Sequence, residues 1–243
     1  MKQSQILSHL IERAKLVRAG QVKLAAVFDL DSTLFNVAPR ITQILRDFSL
    51  TPKFQKLFPK ECEILAQTVH HPLDWGIEIT LKRAGVPIHP AFFGELNAYW
   101  LERFHSNHYL HHDEPIRGGP DFVQNLHELG ANRIYLTGRD IPRYAEGTAR
   151  VLEQHRFPLK HDTVTLALKS HHHLPDAPFK RDYLSELAGK YQEIWFFENE
   201  PVNINLVLRD LPQIKVVFFD GTHSGKEEVA NEILRIRDFT QEE

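Results

Sequence analysis

Cysteine is nearly missing from this chain. Of 243 residues only Cys62 carries a thiol, which excludes an intrachain disulfide framework and a zinc site built from several thiolates. That usage fits a reducing compartment, so a cytoplasmic location is the expectation. Long apolar runs are missing too: none approaches the roughly 20 residues of a membrane-spanning helix, and no membrane partner is expected. The stretch from Met1 to Gly20 scatters His9, Glu12, Arg13, Lys15 and Arg18 among its apolar positions and so lacks the unbroken core of a signal peptide. Leu7, Leu10, Ile11, Ala14 and Val17 recur there at helical spacing, the pattern of a surface helix packed on a domain. Excess charge of one sign is also missing. With 29 Lys and Arg against 32 Asp and Glu the formal net charge is -3, which weighs against the broad positive field of a nucleic-acid-binding surface. No internal repeat and no low-complexity tract stands out.

What is present is ordinary globular material, 42% hydrophobic and 25% charged, enough for one large core or for one core with a small accessory domain. Five short apolar runs, Lys23 to Phe28, Arg133 to Leu136, Thr163 to Leu168, Glu193 to Phe197 and Lys215 to Phe219, have the β-branched and aromatic content of buried strands. Helical patterns alternate with them at Pro120 to Leu129, Pro142 to His155, Arg181 to Lys190 and Val202 to Leu208. Such alternation predicts an α/β fold, a doubly wound parallel sheet with helices on both faces. Ligands in such sheets sit beyond the carboxyl ends of the strands, and Asp29, Thr137 and Glu198 each fall just after one of the runs. Phe35 to Arg117 interrupts the alternation with helical pattern, several prolines and the apolar bulk of Phe92, Phe93, Leu96, Tyr99, Trp100 and Phe104. It reads as an insertion, with Arg117-Gly118-Gly119-Pro120 as a hinge back into the main domain.

Asp29 and Asp31 stand two apart at a strand end, a spacing that points both side chains to one face if the strand continues. Two carboxylates so close repel unless a cation lies between them, and a magnesium ion would answer that need while also holding a phosphate. The run Asp29-Leu30-Asp31-Ser32-Thr33 resembles the DxDxT motif of the haloacid dehalogenase superfamily in its phosphatase branch. Thr137 in Leu136-Thr137-Gly138-Arg139, Lys180 in Pro178-Phe179-Lys180-Arg181 and Glu198 after Trp195-Phe196-Phe197 follow in that family's motif order. The resemblance implies a Rossmannoid core at residues 1–34 and 118–243, with a helical cap of the family's first type inserted after the first strand at 35–117. It implies a magnesium-dependent phosphomonoester hydrolase acting on a small phosphorylated metabolite through an aspartyl-phosphate. Asp29 would be the nucleophile and Asp31 the general acid/base. Thr137, Gly138 and Lys180 would bind the substrate phosphate, and Asp29, Asp31 through its backbone carbonyl, and Glu198 would hold Mg2+. The chain departs from the family at the last motif, where glutamate replaces the usual aspartate and Asn199, Glu200 or Asn203 is left as the second contributor.

Other residues leave two readings each. Arg139 and Arg143 clamp a substrate anion or tie the loop to a neighbouring acid. His105, His108, His111 and His112 have spacings that put several on one helix face, a transition-metal geometry, or they line a rim of the cap. His171, His172 and His173 read as exposed. Trp75, Tyr99 and Trp100 line the cap's cavity or form its core. Arg40, Arg46, Lys53, Lys56 and Lys60 hint at a nucleic-acid groove but read better as solvated cap residues. Competing functions are a phosphate-binding or interaction module of the same fold without turnover, a phosphomutase, and a dehalogenase, the last disfavoured by Asp31.

Overall fold

The computed structural model describes residues 1–241. The chain opens with helix α1 (Gln3–Arg18) and strand β1 (Leu24–Phe28). A short strand β2 (Phe35–Asn36) leads into helices α2 (Ala38–Leu50), α3 (Pro52–Leu57), α4 (Pro59–Leu65), α5 (Ile77–Ala84) and α6 (Pro90–Phe104), a 3-10 turn (Leu110–His112) and strand β3 (Glu114–Pro115). Alternation then resumes as α7 (Gly119–Glu128), β4 (Asn132–Asp140), α8 (Ile141–Gln154), β5 (Val164–Lys169), α9 (Asp176–Ala188), β6 (Glu193–Glu198), α10 (Pro201–Asp210), β7 (Lys215–Phe219) and β8 (Leu234–Ile236).

Six strands pair in the order β5-β4-β1-β6-β7-β8, every pairing parallel. Side chains alternate across the sheet, so Leu24, Ala26 and Phe28 of β1 join one core with α1, α7 and α8, while Ala25 and Val27 join another with α9 and α10. Burial on both faces makes such strands read as continuous apolar runs, and each of the five expected runs is a strand. The chain winds outward from β1 through β4 to β5, then crosses back to β6 on the other side of β1. This reversal opens a crevice at the carboxyl ends of β1, β4 and β6. Among the described residues no helix is long and apolar enough to cross a membrane.

Several local expectations are corrected. β4 continues through Thr137 to Asp140, with a register shift between Leu136 and Asp140, so Thr137 lies in an irregular strand rather than after it. α9 begins at Asp176 rather than Arg181. Pro178 falls in its first turn, where a missing N–H removes no helical hydrogen bond, and Lys180 is therefore a helix residue. α6 ends at Phe104, so His105, His108, His111 and His112 do not share a helix face. The supposed hinge is a packed corner: Gly118 has a φ of 76°, a Cβ there would stand 2.7 Å from the Phe239 carbonyl carbon, and Phe239 N donates to Arg117 O at 2.9 Å.

Within the insertion, Phe48, Phe54, Phe58, Leu65, Leu81, Phe92 and Leu96 form a core of their own. Phe48 and Phe54 stack at 3.9 Å between ring centroids, and Tyr99 packs edge-on against both. At the base, β2 and β3 pair antiparallel where the chain leaves and returns.

Candidate active site

The ladder of β1 runs one residue past its end, with Asp29 N donating to Phe197 O at 2.9 Å. A tight turn follows, closed by Thr33, Leu34 and Phe35 N–H groups on Leu30 O. Ser32 stands in the left-handed region with a φ of 62°, a conformation that costs a non-glycine residue about 1 kcal/mol. This turn, and not strand alternation, brings Asp29 and Asp31 to one cavity of about 970 Å3 between the sheet and the insertion.

At its floor Lys180 Nζ donates to Asp29 Oδ1 at 2.5 Å and to Glu198 Oε2 at 2.7 Å. All three are buried. Burial pushes the Asp29 carboxyl up to about 7, against the pull of Lys180. Burial would lower Lys180, but Asp29 and Glu198 outweigh it and hold the ammonium above the usual lysine range. Glu198 is held from four sides: Oε1 accepts from Asn199 N and Glu200 N, and Oε2 from Lys180 and Asn203 Nδ2. Of the three candidates beside it, Asn203 braces this carboxylate. Asn199 bridges Thr33 and Thr222 O, and Glu200 turns away to Ser224. Thr137 is buried on the cavity wall and its Oγ1 accepts from Arg139 N. Beside Gly138 the Asp176 carboxylate fills the space any side chain would need, its charge met by Lys169 at 2.6 Å.

Asp31 has a separate set of partners: Arg139, one of whose two readings was a tie to a neighbouring acid, and Arg40 and Asp113, which sequence reasoning missed. Arg139 grips both its oxygens, Nε to Oδ2 at 2.8 Å and Nη2 to Oδ1 at 2.9 Å, and Arg40 Nη2 reaches Oδ1 at 2.5 Å. Arg40 is fully buried, which corrects its reading as a solvated cap residue. Asp113, just before β3, faces both arginines, at 3.0 Å from Arg40 Nε and 2.9 Å from Arg139 Nη2. Burial would raise the Asp31 carboxyl, but Arg139 and Arg40 outweigh it and hold it well below the usual carboxylate range. Arg143 is tied to Asp140. Its one available signal was position: Arg40 falls on the face of α2 that also carries Ile41, Ile44 and Phe48. His105 reaches the cavity and bonds the Tyr144 hydroxyl, while His171, His172 and His173 are exposed.

No family model matches the chain, and no curated protein matches it. Solved structures do. A candidate phosphatase from Clostridium difficile aligns with a TM-score of 0.56 at 16% identity over 85% of this chain and 89% of that one. CbbY from Rhodobacter sphaeroides, solved with phosphate, gives a TM-score of 0.51 at 15% identity over 90% and 95%. A predicted phosphoglycolate phosphatase from Haemophilus somnus gives 0.50 at 17% identity over 90% and 95%.

This chain has the haloacid dehalogenase-like fold.

A haloacid dehalogenase-like fold raises the question of a resident magnesium ion. Among the described residues no three His, Cys, Asp or Glu side chains converge on one ion position. Yet the inner cluster of Asp29, Glu198 and Lys180 carries two carboxylates against one ammonium. Asp29 Oδ2 has no hydrogen-bond partner among the described residues, since Lys180 takes only Oδ1. An unpaired hard oxygen on a residue that lines the cavity, beside excess negative charge, suits a cation that keeps most of its waters. The donor set therefore fits magnesium at Asp29, with Glu198 joining only by giving up one of its four hydrogen bonds.

Proposed function

We propose that the protein is a phosphomonoester hydrolase that works through an aspartyl-phosphate on Asp29. The observation that carries this reading is the Asp29–Lys180–Glu198 cluster at the sheet's crevice, with one oxygen of Asp29, a residue that lines the cavity, left unengaged. Asp29 Oδ2 attacks phosphorus, an O–P bond forms, and the bond to the leaving oxygen breaks. Lys180 offsets charge on the carboxylate and the incoming phosphate, while Thr137 and the Gly138 backbone cradle the phosphoryl oxygens. Water then attacks phosphorus, its proton passes to Asp31, and the Asp29 carboxylate is released. Asp31 gives a proton to the leaving oxygen in the first step and regains one from the water in the second; as Arg139 and Arg40 keep it ionised in the resting site, the first proton enters with the substrate phosphate. Because both its oxygens are engaged by guanidinium N–H groups, that transfer requires Arg40 or Arg139 to yield a hydrogen bond as substrate arrives.

A magnesium ion bound through Asp29, the Asp31 carbonyl and Glu198 would supply charge neutralisation at the phosphoryl group. Residues 35–117 serve as the cap over a core of residues 1–34 and 118–243, shielding the site from water and choosing the substrate, a small phosphate ester.

The test is phosphate release from p-nitrophenyl phosphate. Release is expected to stop with a chelator, to return with magnesium, and to fall by roughly 10^3-fold or more in Asp29→Asn, with the circular dichroism of the fold retained. Parent-level release by that variant would overturn the proposal. The arginine grip on Asp31 also suits a phosphate-binding module without turnover; phosphate binding with no release under any metal would favour that reading.

A further inference from the structure

We infer that the cavity above Asp29 selects phosphomonoesters whose leaving group carries a planar aromatic ring, an inference that rests on the phosphatase reading and names its substrate class. The cavity has two unlike ends. Its floor is charged, and the wall contributed by the insertion presents Ile41, Trp75, Trp100 and Phe104. Polar residues on that side are already engaged within the protein: Asp74 accepts from Thr80 and Arg83, and His70 pairs with the Thr80 hydroxyl. A polyol leaving group would bring hydroxyls to a wall with few free partners, a loss for each one buried unpaired. A flat ring would meet aromatic faces instead.

Two indoles sharpen this. Trp100 Nε1 is buried with no hydrogen-bond partner, although buried indole N–H groups ordinarily find an acceptor. Its ring lies 4.9 Å from that of Phe104 at 30°, and Phe104 is fixed from the core side by the Arg40 guanidinium at 4.2 Å. The indole is thus a braced part of the cavity wall, with its N–H covered by protein. Trp75, by contrast, is 48% exposed at the cavity and has no ring contact among the described residues. A ligand ring covering it would remove apolar surface from water.

Adenosine 5'-monophosphate and ribose 5-phosphate share one leaving oxygen and differ by the ring, so their comparison isolates it. Phenyl phosphate places a ring directly on the phosphate. Binding is read in Asp29→Asn by quenching of tryptophan emission and by calorimetry, and turnover in the parent by phosphate release. At least one ring-bearing ester is expected to bind and turn over about tenfold better than ribose 5-phosphate, the scale of one stacking contact. The same preference should collapse in Trp75→Ala, whose indole is not part of a core. Preference for phenyl phosphate places the ring beside the phosphate, and preference for the nucleotide places a sugar between; either supports the inference. Equal binding and equal turnover of all three esters overturn it. Ring-dependent binding without phosphate release from any ester would instead sink the phosphatase reading while leaving the ring preference standing.

Discussion

Arg40 and Asp113 have no net charge to add to the site, because with Arg139 and Asp31 they form a quartet of two guanidinium groups and two carboxylates, buried except at Asp31. Its members come from four places: the turn after β1, the first turn of α2, the segment entering β3, and the bulged end of β4. Burial pushes the Asp113 carboxyl up to about 6 even against both arginines, so this carboxylate depends on its partners to stay ionised. Breaking a buried network by removing one partner strands the others, at about 3–5 kcal/mol. Arg40→Ala should therefore lose roughly 3 kcal/mol in urea denaturation, whereas replacement of an exposed cation such as Lys53, which meets exposed Glu95 and the Phe54 ring, should change stability by less than about 1 kcal/mol. Similar small losses for both would show that the quartet is not coupled to folding. Arg40→Lys should fall between, since an ammonium keeps the charge but not the fork geometry.

At the scale of elements, the segment between α4 and α5 is held by a chain of hydrogen bonds centred on His70. Its backbone N donates to Thr42 Oγ1 of α2 at 2.9 Å, and its Nδ1 meets Thr80 Oγ1, whose hydroxyl donates to Asp74 Oδ2. One hydroxyl proton cannot serve both neighbours, so Nδ1 carries the proton and donates. Burial pushes the His70 imidazole down to about 4, against the Asp74 charge. In the unfolded chain it titrates near 6.5. Between these values the unfolded state holds more protons than the folded one, so stability rises with pH through that window and is flat above it. The loss on going from about pH 8 to about pH 5 should be roughly 2 kcal/mol from this group. His70→Gln should flatten that part of the stability profile; a profile with the parent slope would assign the titration elsewhere. The loop so held is the one that carries Trp75 to the cavity.

For the whole molecule, the two ends of the chain close the sheet's α1 face together. Phe239 packs against Phe28, Phe122, Phe197 and Phe219, with ring centroids 5.6 to 6.1 Å apart, and its backbone presses on Gly118. Gln3 of α1 accepts from Arg237 N and donates to Thr240 O. The end of the chain thus braces β1 and β6, the strands that carry Asp29 and Glu198. Phe239→Ala should cost about 3–5 kcal/mol through the cavity it leaves, visible as a fall in the thermal midpoint, and an effect below about 1 kcal/mol would mean that the C-terminal segment only rests on the surface.

The sequence by itself determined the five central strands, the order of the motifs along them and the crevice where Asp29, Thr137, Lys180 and Glu198 gather. It could do so because strands buried on both faces must be apolar throughout, and a parallel sheet delivers every strand's end to one edge. It did not show β8, whose Leu234-Arg235-Ile236 is too short for a pattern, or the helical setting of Lys180. Only the tertiary structure decided what surrounds each carboxylate. Asp29 and Asp31 are two residues apart, yet one meets a lysine from α9 and the other two arginines, one of them from inside the insertion. Those cations lie at sequence separations of 151, 9 and 108, and of the three Arg40 looks like a solvent-facing charge in a linear reading. Whether a charge is solvated or buried against a partner is set by packing between elements, which no local pattern records.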